Sequence, residues 1–219
     1  MSYAAKWLGN DHVFYEDNRG RDDKNLVASL CALLDEADVV VAHNGDRFDL
    51  PKIRGRALAN GIKPPSPVKT VDTCLVARKQ FGFPSNSLEY LCQALGLKTQ
   101  KGIHSKFPGF SLWAECLRGN EEAWENMKKY NIKDIFALEE LYICLRPWIV
   151  NHPNLAVYAE EPQTPVCPKC GGTHLQYRGY AYTTTGKYHK LQCQTCFGWS
   201  RTRYGLNSKN ENVLVHQVN

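Results

Sequence analysis

The chain of 219 residues is 43% hydrophobic and 22% charged, a composition that suits a globular protein with one sizeable core and room for a small appended module. No run approaches the ~18 apolar residues of a membrane span, and the N-terminus lacks a charged region followed by an apolar one, so a helical membrane protein is excluded and a cytoplasmic one is expected. The net charge of +5 is uneven: residues 166–219 hold seven Lys/Arg against one acidic residue, whereas residues 1–165 hold 20 against 21. A basic segment beside a neutral one points to nucleic acid as a partner.

In chain order, Tyr3 to Leu8 and His12 to Tyr15 flank Gly9-Asn10-Asp11, a compact turn signal, and predict a β-hairpin. Asp22 or Asp23 then caps a helix whose Leu26, Val27, Leu30, Leu33 and Leu34 share one face. The β-branched run Val39-Val40-Val41 predicts a buried strand that runs out into a loop at Gly45, and Pro51 suits the first turn of the helix that follows, to about Asn60. Asp49 therefore stands where a strand hands over to a helix, either as an N-cap or projecting into a cleft. Val68 to Val71 predict a short strand, with Asp72 as the cap of the next helix.

Ser87 opens a further helix (Leu88, Leu91, Leu95) that ends at Gly96. Lys98 to Gly109, containing Lys98, Lys101, His104 and Lys106, reads as a basic loop, either solvated or set against a phosphate backbone. From Asn120 a long helical pattern runs to Pro147, and on it Tyr130 and Asp134 lie one turn apart on the same face. Such a pair is ordinary on a helix surface. The element order is mixed α/β, with helices able to cover a sheet.

Asn44 followed by Phe48-Asp49, with Tyr130-x-x-x-Asp134 downstream, resembles the second and third motifs of the DnaQ-like (DEDD) 3′-5′ exonucleases in their tyrosine subtype. A histidine subtype would want His at position 129, where this chain has Lys129. The resemblance covers residues 3–150 and implies an RNase H-like fold, with a mixed sheet flanked by helices. It also implies hydrolysis of 3′ ends of DNA in replication or repair, in a bacterial or phage-infected cell. Two Mg²⁺ or Mn²⁺ ions would serve such chemistry, and carboxylates such as Asp49 and Asp134 are the donors that hard cations want. By the same resemblance Tyr130 would orient the attacking water, while Asn44 and Phe48 would hold the terminal nucleotides.

The family's first motif, Asp-x-Glu on a leading strand, should lie before the hairpin, and here the chain opens in that hairpin. Glu16 and Asp17 are the nearest paired carboxylates, but they follow the hairpin and are topologically unsuited as substitutes. Three readings stay open: an exonuclease whose Asp-x-Glu strand comes from another chain, an enzyme with an improvised site, and a nucleic-acid-binding protein with impaired catalysis. A polymerase is a further expected partner.

Five of the nine cysteines (Cys31, Cys74, Cys92, Cys116, Cys144) stand singly in apolar surroundings, as reduced core thiols do. The other four form two C-x-x-C pairs, Cys167/Cys170 and Cys193/Cys196, a spacing that matches structural Zn²⁺ in a zinc ribbon over residues 166–206. Around them lie Tyr177, Arg178, Tyr180, Tyr182, Lys187, Lys190, Trp199, Arg201 and Arg203, rings that either form the small core or, interleaved with cations, suit single-stranded nucleic acid. Residues 151–165, with three prolines, read as a linker between a domain at 1–150 and the ribbon, and residues 207–219 as a disordered tail.

Overall fold

A computed structural model describes residues 1–20, 22–99, 107–158 and 164–207. Of the expected basic loop, Lys101, His104 and Lys106 lie outside the described residues, as does the expected tail from residue 208 onward. The chain divides into two compact units, Met1–Leu145 and Arg146–Asn219.

In the first unit, β1 (Ser2–Lys6) and β2 (Val13–Asp17) form the hairpin, with Ser2 opposite Asp17 and Lys6 opposite Val13. Helix α1 (Lys24–Glu36) follows, then β3 (Val39–Ala42), α2 (Asp49–Ala59), β4 (Lys69–Asp72) and α3 (Thr73–Gln80). Strands β3 and β4 pair in parallel, Val39 opposite Lys69 and Ala42 opposite Asp72. Helices α4 (Leu88–Ala94), α5 (Ser111–Leu117) and α6 (Glu121–Leu145) complete the unit. The α5 turn was not expected from the sequence; it exists because Leu112 and Cys116, four apart, are buried beside Ala123, Trp124 and Met127 of α6.

The mixed sheet expected from the resemblance is in two pieces. Among the described residues β1 pairs only with β2 and β3 only with β4, so each of the four strands has one edge without a partner strand. Helices keep the pieces together. Leu26, Val27, Leu30, Cys31 and Leu34 of α1 bury with Leu50, Ile53 and Ala57 of α2 against Tyr3 of β1, with Val40 of β3 packed alongside. Each fully buried aliphatic side chain there contributes about 1.5–3 kcal/mol. On α6, Glu139 pairs with Lys6 and accepts the Gly9 N–H at 2.7 Å, and Asn131 donates to the Ser2 hydroxyl at 2.9 Å, which fixes the hairpin to the helix. The C-terminal half of α6 buries Leu141 and Leu145 against Ala77 of α3 and Leu91 of α4.

One expectation is narrowed and another corrected. Of the two aspartates expected at the start of α1, Asp22 accepts the Lys24 N–H at 3.0 Å, whereas Asp23, at the N-cap position, makes no cap bond with its side chain. Both its oxygens go to the Arg56 guanidinium, at 2.7 Å each, and Asn60 adds a third bond at 2.8 Å. A bidentate charge-assisted pair outcompetes a single bond to a backbone amide. Of the five single cysteines, four are buried and Cys144 is exposed, because it falls outside the arc of α6 that buries Leu141, Tyr142 and Leu145.

The second unit begins with two short 3-10 turns, Arg146–Trp148 and Leu155–Val157. Residues expected as linker are bonded to the first cysteine pair: Leu155 N–H donates to the Pro168 carbonyl at 2.8 Å. Strands β5 (Leu175–Tyr182), β6 (Lys187–Cys193) and β7 (Trp199–Arg201) make one antiparallel sheet in that order. No helix among the described residues is long and apolar enough to cross a membrane.

Candidate active site and candidate metal centre

At the end of β3 the chain turns through Asn44, whose φ of 64° is a left-handed conformation that Asn tolerates better than most residues. The turn closes when Phe48 N–H donates to the Asn44 carbonyl at 3.1 Å and Leu50 N–H to that of Gly45 at 3.0 Å. Gly45 is required by space, since a Cβ there would stand 2.4 Å from the Ala42 Cβ. The buried carboxylate of Asp72 holds the loop from the neighbouring strand. It accepts Asn44 N–H at 2.9 Å and Asp46 N–H at 3.2 Å, as well as Cys74 N–H at 3.0 Å and Leu75 N–H at 3.2 Å at the start of α3. Asp72 is thus the expected cap, with a second task that the sequence did not reveal.

Asp49 is the first residue of α2, and the N-cap position falls to Phe48. There its charge lies favourably at the positive end of the helix dipole. Asp49 keeps an exposed edge, yet the protein around it partly desolvates the carboxyl and raises its pKa; Lys52 opposes the rise and Asp72 adds to it. Phe48 is 51% exposed, with the Lys52 ammonium 3.6 Å from its ring centroid. An exposed ring beside a cation offers a base a stacking surface and a phosphate a counter-charge.

Tyr130 and Asp134, separated by one turn of α6, face the same space as the loop. A cleft of about 1480 Å³ is lined by Asn44, Phe48, Asp49, Tyr130 and Asp134 together with β1 and β3. One Asp134 carboxylate oxygen is buried, and the Tyr130 ring meets Trp113 of α5 edge-on at 6.3 Å. Glu16 and Asp17 do not line the cleft: Glu16 accepts the Tyr3 hydroxyl at 3.0 Å and that of Ser29, and Asp17 takes Arg19 at 3.1 Å.

Sequence reasoning missed several lining residues. Lys52 sits one turn beyond Phe48, a spacing that could have signalled the contact, whereas Trp113 comes from the unexpected helix. His43 bonds the Asn86 carbonyl through Nε2 at 3.0 Å and Thr73 Oγ1 through Nδ1 at 2.9 Å. A carbonyl only accepts, so Nε2 carries a proton, while the Thr73 hydroxyl donates its own to the Ala42 carbonyl at 3.1 Å.

Three carboxylates line the cleft, Asp49, Asp134 and Glu139, and Glu139 is already engaged by Lys6 and the Gly9 N–H, which leaves two for divalent cations. Two bridged divalent ions need more than two carboxylate side chains. Among the described residues the only cluster of three or more His, Cys, Asp or Glu ligand atoms is that of Cys167, Cys170, Cys193 and Cys196.

Those four sulfurs lie within 4.8 Å of one another, with Cys167 to Cys196 at 3.6 Å and Cys170 to Cys193 at 3.7 Å. A tetrahedron of sulfurs about 2.3 Å from zinc has edges of about 3.8 Å, so the donor set fits that metal. Each hairpin also directs backbone N–H groups at sulfur: Lys169 to Cys167, Gly172 to Cys170 and Thr195 to Cys193, all at 3.4 Å. Such bonds stabilise thiolate charge. Cys167 and Cys193 are fully buried, which suits a closed structural centre with no position left for substrate.

No curated protein matches this chain. The family model of the RNase_H superfamily matches residues 5–146, which span the hairpin, the strand-to-helix loop and α6. With helices on split small sheets and a cleft at the end of β3, the chain belongs to the RNase H superfamily.

Proposed function

We propose that the first unit is the catalytic domain of a metal-dependent 3′-5′ exonuclease acting on DNA in replication or repair, and that the second is a zinc ribbon. The observation that carries this reading is that Asn44, Phe48 and Asp49, and the distant Tyr130 and Asp134, line one cleft. In the reaction, a water oxygen gives up a proton and forms a new bond to the scissile phosphorus, the bond to the 3′ oxygen of the penultimate nucleotide breaks, and that 3′ oxygen takes a proton. Asp49 and Asp134 are assigned as carboxylate donors of the Mg²⁺ or Mn²⁺ site, Tyr130 as the residue that orients water, and Asn44 and Phe48 as holders of the terminal nucleotides. The test is digestion of a 5′-labelled single strand with either cation. A ladder shortening from the 3′ end, abolished by both Asp49→Ala and Asp134→Ala, is expected. Digestion that survives both substitutions would overturn the assignment.

A second reading is favoured by the split sheet. Strands β1 and β3 both line the cleft with edges unpaired by any described strand, and such edges accept an added strand. A polypeptide carrying an Asp-x-Glu strand would pair with both edges and supply the carboxylates that the cleft lacks. Under this reading residues 1–219 alone bind nucleic acid but cut poorly, and adding an Asp-x-Glu peptide raises the rate. Full-rate, Asp134-dependent digestion without the peptide would exclude it.

A further inference from the structure

The sheet of the second unit contains a device that neither the RNase H assignment nor the metal centre requires. Opposite β6, Tyr177 pairs with Leu191 and Tyr180 with His189, so three steps along β5 match two along β6. This is a β-bulge, and Gly179 within it has a φ of 80° that other residues rarely adopt. In a regular strand Tyr177 and Tyr180 would point to opposite faces. The bulge changes the phase. Tyr177, Tyr180 and Tyr182 become cross-strand partners of Leu191, His189 and Lys187, which alternate along β6 and share one face.

These rings are not the module's core, which is built from Cys167, Cys193 and Cys196 with Leu175 packed against them. Tyr177, Tyr180 and Tyr182 are 61%, 44% and 71% exposed. His189 lies between two of them, edge-on to Tyr177 at 5.4 Å and stacked on Tyr180 at 5.7 Å, and Lys187 stands 3.9 Å from the Tyr180 ring centroid. Alternate positions on a strand are roughly 7 Å apart. That is twice the ~3.4 Å rise of stacked bases, the spacing that results when a ring is inserted at each step. Charge selects the partner: residues 164–207 contain six Lys/Arg and no Asp or Glu, which leaves +4 even with four thiolates around one Zn²⁺.

We propose that this tyrosine row is a stacking surface for a single strand of nucleic acid, with the bases on the rings and the phosphates near Lys187 and its neighbouring cations. Rings recognise base faces and cations recognise phosphates, so DNA and RNA strands bind alike, and a duplex, whose base faces are covered, binds weakly. The surface belongs to the second unit and does not depend on the chemistry of the cleft.

The experiment uses the full zinc-loaded chain without added Mg²⁺, with fluorescence anisotropy of labelled dT15, U15 and a 15-base-pair duplex. Expected are similar affinities for the two single strands, weaker duplex binding, and a loss of roughly ten-fold for each Tyr→Ala among the three positions. Tyr→Phe retains binding because the ring remains. The salt slope of the Tyr→Ala variants stays that of the parent, whereas Lys187→Gln lowers it by about 0.7, one phosphate contact to a single strand. Zinc content reports folding; should the triple Tyr→Ala variant lose zinc, Tyr182→Ala, at the most exposed ring, carries the test. Unchanged dT15 affinity in a zinc-retaining Tyr→Ala variant would overturn the proposal. So would equal affinity for the duplex, or displacement of dT15 by polyglutamate at equal charge concentration, which would identify a site for any polyanion.

Discussion

Asp72 accepts the backbone N–H of Asn44 at 2.9 Å across 28 residues of sequence, so the cap of α3 also anchors the loop that presents Asp49. Four N–H groups depend on this one carboxylate. Asp72→Ala removes a cap and leaves amides unsatisfied, with an expected loss of about 2–4 kcal/mol in urea unfolding, and Asp72→Asn loses less. A loss below about 0.5 kcal/mol for the alanine variant would show that the loop is held by other means.

Gly45→Ala tests the space beside β3. Its Cβ would collide with Ala42 at 2.4 Å, and the expected destabilisation is about 1–3 kcal/mol. Ala42→Gly should restore much of it in the double variant, because it removes the atom that is struck. Additive losses in a double-mutant cycle would argue against the contact.

At Asn44 the backbone and the side chain can be separated. A φ of 64° suits glycine, so Asn44→Gly keeps the fold to within a few tenths of a kcal/mol, while Asn44→Val strains it by about 1–3 kcal/mol. If the Asn44 amide holds a nucleotide, the glycine variant melts normally yet binds a 3′ end more weakly. Equal binding would remove that role.

The Asp23–Arg56 pair predicts a pH dependence. The Arg56 guanidinium, with Asn60, holds the Asp23 pKa at about 2, below the ~3.9 of an unfolded chain. A depressed carboxyl contributes stability that is present above its unfolded pKa and is lost as pH falls through the folded value. Since the Arg56 side chain is 45% exposed, the contribution is about 1–2 kcal/mol once screening is allowed for. The stability gap between the parent and Asp23→Asn should therefore shrink from pH 5 to pH 2.5. A gap that is constant over that range would contradict the pairing.

Metal removal should separate the two units. One zinc per chain is expected, with a binding free energy of roughly 10 kcal/mol that folds residues 166–203. Chelation or Cys193→Ser should then open that segment to protease and leave 1–145 resistant. Protein purified without chelator and free of zinc would refute the centre.

Much of this was legible because it is local. Apolar spacing on α1 and α6, Ser87 accepting Tyr90 N–H as the α4 cap, and the two C-x-x-C pairs each depend on residues a few positions apart. Helix α5 was not legible, since seven residues form a helix there only because α6 offers them a place to bury Leu112 and Cys116. Which of Asp22 and Asp23 serves the start of α1 was not legible either: Asp22 accepts the Lys24 N–H, and the guanidinium that takes Asp23 lies 33 residues away.

The sequence by itself determined which candidate side chains are present: carboxylates at Asp49 and Asp134, two C-x-x-C pairs, and tyrosines among cations. Only the tertiary structure decided where they meet. Asp72 sets the loop of Asn44 through long-range bonds, and helices hold β1 and β3 apart across a cleft. A bulge of one residue turns Tyr177 to the side of Tyr180. Such relations depend on strand register and side-chain packing between distant segments, which no local pattern encodes.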